Sequence, residues 1–258
     1  MGMLENIQSG RENKPPRLLI YGSEGVGKST FGASAPGAIF VQTEDGLGEI
    51  NCKKFPLAHT LSEVTAELTA LRDEQHDFQT VVIDSADWLE RIIHEEVCRE
   101  YDVQSIERVP GQYGTGASIA LKKMRNIISL LDEIRNKRNM IIILLAHAKI
   151  EHVEDPETMA YDRHTPRLNK NACGLIIEWA DAVGFVWKKF RVQKESGKFS
   201  SERGIVAPIG ANGGERVIRF DGSPACIAKN RFGLPSEIPL SWQAFIDAYQ
   251  KALEGNHE

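Results

Sequence analysis

The chain has 258 residues and a formal net charge of −5, and this length suffices for one α/β domain with a full core. The negative charge argues against a protein that coats nucleic acid through general positive charge, but it is compatible with a local basic groove. The four cysteines are scattered without a CxxC pair, so they indicate neither a zinc site nor a disulfide framework and favour a reducing compartment. Because the polar N-terminus lacks an apolar signal core and no apolar run is long enough to cross a bilayer, we expect a cytoplasmic protein without a membrane partner.

Residues 1–16 are expected to form a flexible lead-in, and residues 17–258 a single domain that ends in an amphipathic helix. Apolar runs rich in β-forming residues predict strands at 17–22, 38–43, 80–83, 139–147, 181–189 and 225–233. Residues 190–220 are expected to be hairpin material around "GANGGE" at 210–215. Helical spacing of apolar residues predicts helices at 28–35, 61–74, 88–101, 119–138, 173–180 and 240–254. Because strands alternate with helices, the pattern predicts an α/β fold with a mostly parallel central sheet and helices on both faces.

A predicted helix cap and a long connection add to this pattern. Ser62 is the expected N-cap of the helix at 61–74. A polar stretch over residues 148–172 follows the fourth strand and is longer than an ordinary connection, so we expect it to be either mobile or functional.

A glycine-rich loop joins the first predicted strand to the first predicted helix and matches the pattern GxxxxGK[ST]. Glycines let backbone N–H groups curl around phosphate oxygens, and the start of the helix adds the positive end of its dipole. Lys28 would reach the outer phosphates, and the Ser29 hydroxyl would hold Mg²⁺. The loop therefore predicts a site for ATP and Mg²⁺. The residues of this predicted site are Gly22, Ser23, Glu24, Gly25, Val26, Gly27, Lys28, Ser29 and Thr30.

Acidic residues close the second and third predicted strands. Asp84 ends the third strand, where a carboxylate can orient Mg²⁺ or its water, although an aspartate there is also a good helix N-cap. Ser85 stands where many ATPases of the AAA+ type carry the glutamate that polarises water, so the base is expected elsewhere. Glu44 is the candidate, because a carboxylate at the end of the neighbouring strand can orient a water in line with the γ-phosphate. Asp45 is the nearest competitor, and a simple turn is the structural alternative.

His147 closes the fourth predicted strand. A polar residue there can sense the γ-phosphate and pass the nucleotide state to the polar stretch that follows, although a lone histidine is also compatible with a purely structural role. His147, His152 and His164 do not have the spacing of a zinc site.

Together these motifs resemble the RecA/RadA-like core: the phosphate loop, Glu44, the strand "VVIDS" and His147 come in the same order. The segment "KNRFG" at 229–233 reproduces a motif characteristic of RadA, and the short length is similar to the phage-encoded ATPases of the Sak group. The resemblance implies a homo-oligomer with ATP between subunits, single-stranded DNA as a partner and a single-strand-binding protein as a further one. It implies that Lys229 and Arg231 act in trans on a neighbour's γ-phosphate. Without the resemblance, the sequence would favour Lys229 and Arg231 as two solvated cations on a terminal strand.

The resemblance also implies DNA contacts in the loops behind the third and fourth strands. Tyr113 lies among glycines in the first loop, and a ring beside cations suits base stacking on single strands. A cationic stretch that starts at Trp187, with interleaved aromatic residues, is a further candidate, although charge runs are usually solvated faces. The predicted DNA-binding residues are Tyr113, Arg163, Arg167, Lys170, Lys188, Lys189 and Arg191.

Two other classes of protein remain as alternatives. A small-molecule kinase would carry an arginine-rich lid near the phosphates, and the sequence shows no clear one. A nucleotide-dependent switch or loader would act on a protein partner; a GTPase would need NKxD, but "NKNA" at 169–172 lacks the guanine-reading aspartate, and an AAA+ loader would want an acid at Ser85. The residues alone therefore indicate an ATPase. The resemblance implies that it is a recombination ATPase whose hydrolysis of ATP is stimulated by DNA, and this hypothesis is favoured over the two alternatives.

Overall fold

The computed structural model describes residues 14–155, 159–194, 204–208 and 214–254, with side chains described outside 191–194 and 204–208. Its strands are β1 (Arg17–Gly22), β2 (Ala38–Gln42), β3 (Lys53–Lys54), β4 (Thr80–Asp84), β5 (Ile141–Val153), β6 (Tyr161–Pro166), β7 (Ala182–Lys188), β8 (Phe190–Lys194), β9 (Gly204–Pro208), β10 (Arg216–Arg219), β11 (Lys229–Asn230) and β12 (Glu237–Pro239). Its helices are α1 (Lys28–Ala33), α2 (Leu61–Asp73), α3 (Ala86–Glu100), α4 (Thr115–Arg138), α5 (Lys170–Trp179) and α6 (Trp242–Glu254). Most of the predicted lead-in, residues 1–13, lies outside the described residues.

The central sheet has the order β12-β10-β7-β1-β5-β4-β2-β3. The strands from β7 to β3 are parallel, whereas β10 and β12 extend the sheet beyond β7 as antiparallel strands, with β12 at the edge. Gly22 lies beside His147 on β5, and Asp84 beside Leu145 on the same strand. The carboxyl ends of β1, β5 and β4 therefore meet at one edge, where open α/β sheets bind their ligands.

Helices cover both faces of the sheet, which confirms the predicted α/β architecture. Successive residues of β1 point to opposite faces: Leu19 packs in the core beneath α2, α3, α4 and α5, and Ile20 in the core beneath α1 and α6. Both side chains are fully buried, and each such burial contributes about 1.5–3 kcal/mol. No helix within the described ranges combines the length and the apolar character needed to span a bilayer.

The N-cap of α2 is Thr60, and the prediction of Ser62 was wrong. Thr60 Oγ1 accepts a hydrogen bond from the Glu63 backbone N–H at 3.2 Å, and a Glu63 carboxylate oxygen accepts one from the Thr60 N–H at 3.0 Å. This reciprocal capping box satisfies two backbone donors that a helix start leaves free. Ser62 lies inside the first turn and cannot do so.

Within the polar stretch after His147, β5 and β6 form an antiparallel hairpin, and β5 runs on to Val153 instead of ending at His147. The last residues of the stretch begin α5. Beyond His147 the strand has left β1 and pairs antiparallel with β6. Cross-strand ion pairs suit such a two-stranded ribbon, as Arg163–Glu151 at 3.1 Å and His152–Asp162 at 2.9 Å show. Within 190–220, β8 and β9 form an antiparallel pair. The predicted turn at 210–215 would instead join β9 to β10, but among the described residues β10 pairs with β7 and β12. Residues 209–213 lie outside the described part.

Candidate nucleotide site

The phosphate loop bends between β1 and α1 as the sequence predicts, and two glycines make the bend possible. A Cβ on Gly22 would lie 2.5 Å from the Val186 carbonyl oxygen of β7, which is closer than such atoms approach. Gly27 has φ 108°, a left-handed conformation that side chains with a Cβ rarely adopt. The loop therefore turns tightly and presents its backbone to the start of α1.

Lys28 is the first residue of α1 and its side chain folds back over the loop. It is only 6% exposed, and its ammonium donates hydrogen bonds to the carbonyl oxygens of Gly22 at 3.1 Å and Ser23 at 2.9 Å. Burial lowers the pKa of this amine, while the negative charge of Asp84 acts in the opposite direction. The cation is thus held inside the loop, where phosphate oxygens would replace the carbonyl groups as its partners.

Ser29 and Asp84 meet at the carboxyl edge of the sheet. The Ser29 hydroxyl donates a hydrogen bond to Asp84 Oδ2 at 2.6 Å. Burial raises the pKa of Asp84, and the hydrogen bond from Ser29 opposes that rise. A hydroxyl and a carboxylate oxygen this close form a hard oxygen donor set that fits Mg²⁺, which keeps waters and phosphate oxygens as its other ligands.

Glu44 follows β2 and reaches the same edge. Its Oε2 accepts a hydrogen bond from Ser85 Oγ at 3.2 Å and lies 3.8 Å from His147 Nδ1. The backbone beneath it is fixed, because Thr43 Oγ1 donates to the Ser85 carbonyl at 2.7 Å and accepts from the Ser85 N–H at 2.8 Å. Ser85 therefore fixes the position of the Glu44 carboxylate at this edge of the sheet. Asp45 is exposed and does not line the cavity.

His147 belongs to an ion-pair network around the buried carboxylate of Asp87 that the sequence did not predict. Asp87, in the first turn of α3, is 5% exposed and accepts hydrogen bonds from the His147 backbone N–H and from its Nδ1, both at 3.0 Å. Arg167 donates to the same carboxylate through Nε at 3.1 Å and Nη2 at 2.8 Å, and it pairs with Glu24 of the loop at 3.2 Å. Burial alone would raise the pKa of Asp87, but the bonds from His147 and Arg167 hold it well below its usual range.

These groups surround one cavity of about 320 Å³. Arg216 of β10 also lines it, although nothing in the sequence pattern points to this residue. The other residues around the cavity are Glu24, Gly25, Gly27, Lys28, Ser29, Thr30, Glu44, Gly46, Ile50, Asp84 and His147. The structure thus brings the predicted phosphate, metal and water-orienting residues together in one place.

Lys229 and Arg231 lie at the opposite edge of the sheet, where β11 pairs with the first residues of β7. The Lys229 ammonium donates to the carbonyl oxygens of Ile177, Glu178 and Ala180, each at 2.7 Å, so all of its N–H donors bind the end of α5. Arg231 lies 3.7 Å from Asp181 and remains 52% exposed. In its own chain the side chain of Lys229 therefore caps the C-terminal carbonyl groups of α5. A contact of Lys229 or Arg231 with a neighbouring subunit stays a prediction.

The predicted DNA-binding residues lie in different settings. Tyr113 is fully exposed just before α4, and Lys170 is exposed at the start of α5. Three cations are already paired within the chain: Arg163 with Glu151, Arg167 with Asp87, and Lys189 with Glu237 at 2.6 Å. Lys188 ends β7 half-buried, and the side chain of Arg191 lies outside the described residues.

Comparisons with known proteins agree with this geometry. A family model described as an AAA domain matches residues 14–232, well over half of the chain. The chain is also 23% identical, over 181 residues, to an SPbeta prophage-derived uncharacterized protein, YorG, of Bacillus subtilis (strain 168). That match covers 69% of this chain and 51% of the relative, so the chain spans about half the length of the curated relative it matches. The chain belongs to the AAA-domain family of P-loop ATPases.

Proposed function

We propose that this protein hydrolyses ATP as a RecA/RadA-like recombination ATPase and acts on single-stranded DNA, as the resemblance to the Sak group implies. The observation that carries the proposal is the 2.6 Å contact between Ser29 Oγ and Asp84 Oδ2, beside the buried ammonium of Lys28. This arrangement offers oxygen ligands for Mg²⁺ and a cation for the phosphates of ATP. Glu44 adds a further carboxylate at the same edge of the sheet.

Each residue has a distinct task in this mechanism. Lys28 binds the outer phosphate oxygens, and the backbone of the loop cradles the inner ones. Ser29 and Asp84 hold Mg²⁺, which, when bound, neutralises charge on the transferred phosphoryl group. Glu44 orients the attacking water, and Ser85 fixes the orientation of Glu44 through the 3.2 Å hydrogen bond.

The DNA half of the proposal rests on the hairpin and on one aromatic residue. The β5–β6 hairpin begins directly after His147 and ends directly before Arg167, so both of its ends lie beside the nucleotide cavity. Nucleotide-dependent movement at either residue would reach the hairpin through the backbone. Tyr113 supplies an exposed ring for stacking on an unpaired base.

One observation favours a second candidate, a nucleotide-dependent switch or loader that acts on a protein partner. Arg163, Arg167 and Lys189 form ion pairs within the chain. These pairs reduce the positive charge that is free to bind phosphates of DNA.

The two candidates differ in how DNA affects hydrolysis. We expect single-stranded DNA to raise ATP turnover severalfold at low salt and less at high salt, because phosphate contacts release counterions. Tyr113→Ala should weaken this stimulation without changing turnover in the absence of DNA, and Lys28→Ala, as the control, should have no activity in either condition. A turnover that DNA leaves unchanged, together with no DNA binding at any salt concentration, would favour the protein-partner alternative.

Shared ATP sites can be tested by mixing variants. Lys28→Ala subunits cannot bind ATP but still carry Arg231, whereas Arg231→Ala subunits bind ATP but lack that cation. If Arg231 acts in trans, we expect a mixture to have higher turnover than either variant alone. A mixture of Lys28→Ala with Glu44→Gln is the control, because both residues serve the same site of one chain and no mixture can restore it. Shared sites lose their support if the first mixture is as inactive as the control.

A further inference from the structure

Arg216 lies over the phosphate loop although it is distant from the loop in sequence. It begins β10, the antiparallel strand beside β7, and pairs there with Lys188. Its Nη1 is 3.1 Å from the position that a Cβ on Gly27 would occupy, with Leu240 at 3.2 Å from the same position. The guanidinium therefore lies against the loop at Gly27, directly before Lys28, where both residues line the cavity.

The guanidinium of Arg216 has no protein partner within the described part of the chain, and this sets it apart from its neighbours. Arg219, on the same strand, lies 3.6 Å from Glu237 and stacks on the ring of Trp187 at 5.0 Å. Lys189, beside the strand, pairs with the same glutamate. Arg216 faces the cavity with its charge uncompensated by any ion pair that the described residues form.

We propose that Arg216 binds the α- and β-phosphate oxygens of the nucleotide in cis. This inference rests on the proposed binding of ATP in the cavity. The loop backbone at Gly27 is the part that cradles the inner phosphates, and a guanidinium matches phosphate oxygens in a bidentate geometry. Lys28 supplies one positive charge to the outer phosphates, and Ser29 and Asp84 would hold the metal. Arg216 would add a second positive charge from the protein to the same phosphate chain.

This position predicts a particular kinetic signature. The inner phosphates occur in both ADP and ATP, so their contact with Arg216 exists before and during hydrolysis. An interaction that is equally strong in the ground and transition states changes substrate binding and leaves kcat unchanged. A contact with the γ-phosphate would instead lower kcat and spare ADP.

The test measures binding of fluorescent ADP and ATP analogues, and ATP turnover, on the full chain. We expect Arg216→Ala to lower the affinity for ADP and for ATP by a similar factor of about 10 or more, because charge-assisted hydrogen bonds are lost. The kcat at saturating ATP should stay within about twofold of that of the unmodified chain. Arg216→Lys should recover part of the affinity. Arg219→Ala is the matched control on the same strand and should bind both nucleotides as the unmodified chain does.

Three results would overturn the proposal: unchanged affinity for ADP in Arg216→Ala, a loss of kcat with ADP binding intact, or an equal loss of affinity in Arg219→Ala. Failure of the proposed function looks different. If the unmodified chain binds no nucleotide, both fail, whereas a chain that binds ATP without responding to DNA leaves the assignment of Arg216 in place.

Discussion

Replacement of Glu44 by Gln is expected to leave ATP binding intact and to lower ATP turnover by about 10²–10⁴-fold, the usual contribution of a positioned acid–base group. Glutamine keeps the size of the side chain and can still accept the 3.2 Å hydrogen bond from Ser85, so the cavity should retain its shape. It cannot accept a proton from the attacking water. The measurements are steady-state hydrolysis and nucleotide affinity of the same preparation.

Asp45→Asn is the matched control, since Asp45 is the adjacent carboxylate and was the nearest competitor on sequence alone. It is exposed and outside the cavity, so its amide variant should keep turnover within about twofold, as surface changes usually do. If Asp45→Asn loses turnover while Glu44→Gln keeps it, the roles of the two residues must be exchanged. If neither loses it, the water is oriented by another group, and His147 is the next candidate, because it lines the same cavity with its Nδ1 3.8 Å from Glu44.

The phosphate site could be predicted from sequence because each of its parts is local. The glycine loop, Lys28 and Ser29 lie within one continuous segment, and Asp84 ends a run of β-forming residues. Parallel strands bring their carboxyl ends to one edge, so placing these residues together needed only the fold class. The cap of α2 could also have been predicted, because Thr60 and Glu63 have the spacing of a capping box, although Ser62 was chosen instead.

The ion-pair network could not be predicted in this way. Arg167 and Asp87 are 80 residues apart, and only the hairpin, which returns the chain to His147, brings them into contact. The position of Arg216 depends on the antiparallel strand β10, whose sequence carries no motif. The family resemblance suggested DNA for Arg167, but within the chain it pairs with the buried carboxylate of Asp87 and with the exposed carboxylate of Glu24.

The motif at 229–233 shows a different limit. Sequence resemblance assigned Lys229 to a neighbouring subunit, whereas the position of β11 places its ammonium on the carbonyl groups that end α5. A cation at a helix C-terminus is stabilised by the dipole and by free carbonyl oxygens, so this contact has a sufficient reason within one chain. Arg231 is the residue of the pair whose side chain is still half-exposed for a contact in trans.

Asp87→Ala is expected to destabilise the chain by about 3 kcal/mol at neutral pH, which is the scale for removing one partner of a buried ion pair. The carboxylate satisfies the backbone N–H of His147 as well as the guanidinium of Arg167, and its side chain is only 5% exposed. Its loss leaves a buried N–H without a partner and releases one end of the hairpin. Chemical denaturation of the full chain measures the difference in the free energy of unfolding.

Asp162→Ala provides the comparison, because Asp162 also pairs with a histidine, on the same hairpin, but is 68% exposed. Its removal should cost less than about 1 kcal/mol, the range of surface pairs. The pKa of Asp87 is lowered in the folded chain, so its carboxylate stabilises the fold at every pH above the unfolded value of about 3.9 and loses that effect as pH falls below it. The difference in the free energy of unfolding between Asp87→Ala and the unmodified chain should therefore become smaller below about pH 4. Equal losses in the two variants at neutral pH would mean that the buried network does not hold the base of the hairpin.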